Sequence, residues 1–163
     1  SLPIAHQIGL ADQRANLFAK LGGGERIGSD DVALALVRTT LATLNDANRT
    51  GNYEVLRALS TPEFATRNPS AALARTFAGF RQAGIDLAAV SVMQPALDAP
   101  PARDHDGRLT IAGRFPGRPL SVVFRLTFAD IGGRWRPHAI SIRAEPVADR
   151  VVGTREHARA TSG

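Results

Sequence analysis

Few residues in this 163-residue chain have a type and setting suited to chemistry, and His138 comes first among them. Regular alternation along a strand from about Arg134 to Ala144 puts His138 on one face with Ile140 and Ile142, looking into an interior. A buried neutral imidazole there could serve as base or donor near pH 7. Tyr53, the only tyrosine, sits at a helix start where its hydroxyl could reach a ligand. Phe77, Phe80, Phe124 and Phe128 could form an apolar ligand wall, and the same four rings serve equally as core. General acid–base catalysis needs a titratable group within hydrogen-bond reach of the reacting proton. No Asp or Glu falls within the body of a predicted strand from Leu109 onward; Asp104, Asp106 and Asp130 sit at turns and Glu145 follows the last strand. That leaves His138 as the single candidate acid/base.

Other motifs fail on their own chemistry. Gly22–Gly24 lacks the lysine and Ser/Thr of a phosphate loop and follows no strand. Asp104-His105-Asp106-Gly107 has the start of a calcium loop without its bidentate acid, so it reads as an Asp-Gly turn. His6, His105, His138 and His157 have no ligand spacing, so no metal site is expected, and no cofactor is implied. The absence of cysteine excludes disulfides, thiolate metal sites and a cysteine nucleophile. No run approaches 18 apolar residues, so no transmembrane segment is expected. The net charge of +5 arises in residues 101–163, which hold eleven basic and six acidic groups. Nineteen of the twenty basic residues are arginine, dispersed and with one tryptophan and one tyrosine, a poor match to a nucleic-acid surface.

The elements that must position these residues come in a definite order, helices first and strands after. Residues 1–21 are weakly amphipathic and end at Gly22–Gly24. Ser29, followed by Asp30 and Asp31, starts a helix whose stripe is Val32, Leu36, Val37, Leu41 and Leu44. A short helix is predicted over Asn52–Leu59, and Thr61-Pro62-Glu63 opens a further turn carrying Phe64. Asn68-Pro69 opens a third main helix through Leu73, Phe77 and Phe80 to Gly84. Strands are then predicted at Val90–Gln94, Leu109–Phe115, Leu120–Phe128 and Arg134–Ala144, the last two joined by the Gly132-Gly133 hairpin. Val123, Arg125, Thr127, Trp135, Ser141 and Arg143 fall on the outer sheet face.

The run Val32–Leu44, then Thr50-Gly51-Asn52-Tyr53-Glu54-Val55-Leu56, Thr61-Pro62-Glu63-Phe64 and a meander closing on Gly133-Arg134-Trp135-Arg136, resembles the nuclear-transport-factor-like cone fold. The likeness covers about residues 30–144 and extends to an uncharacterised exported bacterial branch. That superfamily includes ketosteroid isomerases, polyketide cyclases, limonene-epoxide hydrolases, scytalone dehydratases and non-catalytic binding domains. The resemblance implies helices closing over a strongly curved sheet, a pocket between Phe- and Leu-rich faces, and dimerisation through the outer face. The isomerase-type carboxylate base and the epoxide hydrolase's Asp–Arg–Asp set have no counterpart here.

The expected fold class is α+β, cone-shaped, with N-terminal helices packed over a strongly curved, mainly antiparallel sheet. The domain spans residues 29–144, preceded by an arm and Gly-rich link (1–28) and followed by a polar tail (145–163). The expected function is a non-enzymatic binding module, holding a small apolar or amphipathic ligand in the cone or a partner protein on the sheet face, as a homodimer. The ligand residues would be Tyr53, Phe77, Phe80, Phe124, Phe128 and His138. The alternative is a small isomerase, cyclase or dehydratase acting on an apolar ring, with His138 as acid/base. The start at Ser1, the absent cysteines and the family likeness together lead to the expectation of a mature or trimmed form in the periplasm or otherwise exported, with the cytoplasm as alternative.

Overall fold

A computed structural model describes residues 30–147. The expected arm and link, the Ser29 cap and the tail beyond residue 147 lie outside the described residues. Helix α1 (Asp30–Thr50) buries Ala33, Val37, Leu41, Leu44 and Ala47, a stripe at three- and four-residue steps. Gly51 ends it at φ +75°, donating its N–H to the Ala47 carbonyl at 2.8 Å. Glycine takes that left-handed turn without a steric penalty. Helices α2 (Glu54–Leu59) and α3 (Pro62–Arg67) follow. Thr61 caps α3 by accepting the Phe64 N–H at 3.1 Å, with Pro62 in the first turn, as the sequence signals require.

Two expectations about this half need correction. The helix expected from Asn68-Pro69 to Gly84 is divided into α4 (Ser70–Thr76) and α5 (Ala78–Gln82). Phe77 leaves the helical region at φ −101° and ψ 13°, and Gly79, a weak helix former, lies just beyond it. The strand expected at Val90–Gln94 is instead a 3-10 turn over Ala88–Ser91. Asp86 accepts both the Ala88 N–H and the Asn45 amide at 2.9 Å, while Asn45 accepts the Leu87 N–H at 2.9 Å. This clamp from α1 tightens the chain into a turn that buries Leu87 and Val90, three residues apart, and leaves Val92 85 % exposed. The apparent alternation of Val90 and Val92 was coincidence.

The sheet holds β1 (Ala96–Leu97), β2 (Ala102–Arg103), β3 (Leu109–Phe115), β4 (Leu120–Ile131) and β5 (Arg134–Pro146), with every pairing antiparallel. Its order is β1-β3-β4-β5, and β2 also pairs with β3. Cross-strand rows line the inner face: Leu109–Phe128–Pro137, Ile111–Leu126–Ile140, Gly113–Phe124–Ile142 and Phe115–Val122–Ala144. Helix α1 packs its stripe on these rows, while Leu56, Phe64, Leu73 and Phe77 form a second cluster that shares Val122, Ile140 and Ile142 with the first. The chain is therefore α+β, helices with an antiparallel sheet. The sheet is not strongly curled. Bulges bend antiparallel strands, and the described ladders shift register once, between Thr127 and Phe128.

Glycine is required at position 113 by close packing. A Cβ there would lie 2.9 Å from the Leu97 Cα and closer still to the Ala96 carbonyl oxygen. Gly113→Ala should therefore push β1 off β3 and cost about 1–3 kcal/mol. Urea unfolding gives the cost, and amide exchange at Asp98, whose N–H bonds Ala112 at 2.9 Å, reports the loss of pairing. Wild-type stability and protection would show that β1 can yield.

Candidate functional site

The register shift in β5 fixes what faces the helices at this end of the sheet. Thr127 pairs with Ala139 and Phe128 with Pro137, so His138 is an extra residue between two ladder positions. A one-residue bulge reverses the alternation beyond it. Ile140 and Ile142 face inward on one side of the bulge, Pro137 and Trp135 on the other. Trp135, expected on the outer face, is thus a correction: it is 8 % exposed and belongs to the core. The signal was Pro137, since proline within a strand belongs to an edge or a bulge.

His138 shares the inward face with Ile140 and Ile142, as expected, and is buried. Its Nδ1 lies 2.9 Å from the Thr61 hydroxyl, the same oxygen that caps α3. The Thr61 N–H donates to the Pro137 carbonyl at 2.9 Å, and Arg67 Nη2 donates to the His138 carbonyl at 2.9 Å. Burial pushes the imidazole below its ordinary pKa, helped by Arg108 and Arg67 and opposed by Glu63. His138 therefore stays neutral at pH 7, joining α3 to the sheet.

Above Trp135 lies a groove of about 120 Å³ between α1, α2 and the sheet. Leu36, Leu56, Leu59, Phe128, Trp135 and Pro137 line it, joined by Thr39, Thr40 and Thr43 of α1. No charged side chain is among them. Leu59 is 49 % exposed at its margin and Val55, one turn away, 63 %. A concavity of about 290 Å³ adjoins it, sharing Thr43 and Leu56 and adding Asp46, Thr50 and Asn52. The Trp135 indole N–H is buried with no acceptor among the described residues. A further concavity of about 420 Å³, between α1 and β1, carries Asp98 and Gln94 beside Val37, Leu97 and Ile111.

The six expected ligand residues are not brought together. Tyr53, Phe77 and Phe80 form one aromatic group, with the Tyr53 ring stacked on Phe77 at 6.3 Å and Phe80 edge-on to Phe77 at 6.3 Å. The Tyr53 hydroxyl donates to Asn48 Oδ1 at 2.6 Å within the interior. Burial raises its pKa, and Arg81 partly offsets that. Phe124 stacks obliquely on Phe115 at 5.4 Å in the other cluster. Of the six, Phe128 alone lines the Trp135 groove. Glu145, expected beyond the last strand, lies within β5, where it pairs with Arg143 at 2.8 Å and Arg114 at 3.6 Å, and Asp130, expected at a turn, lies within β4 opposite Trp135. Among the described residues no group of three His, Cys, Asp or Glu could hold a metal ion, and no helix is long and apolar enough to cross a membrane. No known protein family, curated protein or solved structure matches the chain.

Two predictions follow from the Thr61–His138 contact. Removing the cap and partner together, Thr61→Ala should cost about 1–2 kcal/mol, while Thr61→Ser, which keeps the hydroxyl, should cost only a small part of that; urea midpoints measure both. Because the folded imidazole titrates below the unfolded value near 6.5, the unfolded chain takes up the proton first. This contribution is complete above about pH 6.5, declines as pH falls towards the folded pKa, and then levels off. His138→Gln should remove that slope, and an identical pH profile would assign it elsewhere.

Proposed function

We propose that this chain is a non-enzymatic binding module whose groove receives the apolar end of a small amphipathic molecule. One observation carries the proposal: a groove without charged side chains, floored by Trp135 and Phe128 and flanked by half-exposed Leu59. The space continues past Thr43 along Asp46 and Asn52, so the apolar stretch is bounded there by polar side chains. A volume of about 120 Å³ is close to that of dry protein cavities which take up benzene. The order of helices followed by the β3–β4–β5 meander supports the nuclear-transport-factor-like kinship as part of the same proposal. The isomerase alternative rests on His138, which lines none of these concavities and whose Nδ1 is held by Thr61.

Trp135 is the only tryptophan, so its emission reports directly on the groove. Titration with 1-octanol should give a saturable change in that emission. Thr43→Phe, which fills the space shared by both concavities, should weaken binding about tenfold, a loss of about 1.4 kcal/mol. A linear, unsaturable response, or equal affinity in Thr43→Phe, would remove the groove as the binding site.

A further inference from the structure

We propose that Arg103 and the Trp135 groove form one site selective for an alkyl monocarboxylate, the chain lying in the groove and the acid group on the guanidinium. The proposal rests on the groove reading above and names its ligand class. Register places the arginine. Arg103 pairs with Leu109, Leu109 with Phe128, and Phe128 with Pro137. Directly opposed residues project to the same face of a sheet, so Arg103 stands on the inner face in one row with two groove-lining residues. Its guanidinium carbon lies 4.9 Å from the centre of the Trp135 ring. That contact holds the side chain beside the apolar floor, where a cation gains from the ring's negative face.

Arg103 is exposed, and among the described residues no carboxylate pairs with it. A stacked, planar guanidinium keeps its N–H edge available for two parallel bonds to a carboxylate. The stacked guanidinium therefore sets the direction, with the acid group at Arg103 and the alkyl chain running along the groove towards Leu56. Asp130, opposite Trp135 in the β4–β5 ladder, stands on the same face but forms no ion pair with Arg103.

Three probes with one chain length separate the terms: octanoate, 1-octanol and octylammonium, each titrated at pH 7.5 against Trp135 emission. Octanoate should bind about tenfold tighter than octanol, and tighter than octylammonium. Arg103→Gln should bring octanoate to within about twofold of octanol while leaving octanol binding as it was. Arg125→Gln removes the same charge from an exposed position on β4's outer face and should leave the preference intact. Equal binding of octanoate and octanol by the wild-type chain would overturn the carboxylate site and leave the groove standing. Survival of the preference in Arg103→Gln, or its equal loss in Arg125→Gln, would also overturn it, showing general attraction by a basic protein. If no probe binds, the groove proposal and this one fail together.

Discussion

Between Ala139, opposite Thr127, and Pro137, opposite Phe128, β5 carries one residue that β4 cannot match. Everything at that end of the molecule follows from where this extra residue goes. His138 turns inward and meets the Thr61 hydroxyl, while the Thr61 N–H takes the Pro137 carbonyl that the ladder leaves free. A backbone carbonyl buried without a donor would cost about 1–3 kcal/mol, so the bulge and the helix cap stabilise each other. The same slip of register turns Trp135 from the solvent side to the interior. Without it the groove would have no floor.

The interior divides its polar groups into those with partners and those without. Asn45 clamps Asp86 and Leu87, Tyr53 is bonded to Asn48, and His138 to Thr61. The first and last of these contacts join segments far apart in sequence. Against that background the Trp135 indole N–H stands out, as do the Asn48 amide nitrogen and Arg38 Nε. Trp135 alone of the three lines the groove and carries a cation on its ring. Charge, apolar surface and an unused donor thus gather around a single side chain.

Much of the fold was legible because local rules and tertiary packing agree. The α1 stripe, the Thr61-Pro62-Glu63 cap, the Asp106-Gly107 turn and the alternation of β4 each demand one structure. Legibility failed where distant groups decide. The tight turn at Ala88–Ser91 depends on Asn45 reaching across from α1, and residues 88–94 contain no sign of it. Strands β1 and β2 are two residues each, too short for any period to show. The site suffered more than the fold. Large aromatic residues were natural candidates for a ligand wall, yet Tyr53, Phe77 and Phe124 pack against other rings. The groove is built from threonines on α1 and leucines at helix margins, residue types that carry no chemical signature. Arg103 is distinguished only by its row in the sheet, which no single-sequence pattern reveals.

The pairing of Thr61 with His138 also bears on how the molecule assembles during synthesis. The two residues lie 77 positions apart, and β5 is the last strand among the described residues. All five described α-helices leave the ribosome before the long strands that their apolar faces cover. Short helices such as α2 and α3 are marginal in isolation, so they gain their order when the sheet arrives. Loop closure over that span must precede the reward of contact. The nascent chain therefore exposes leucine-rich helical surface until its C-terminal third emerges, the interval in which a chaperone has most to protect.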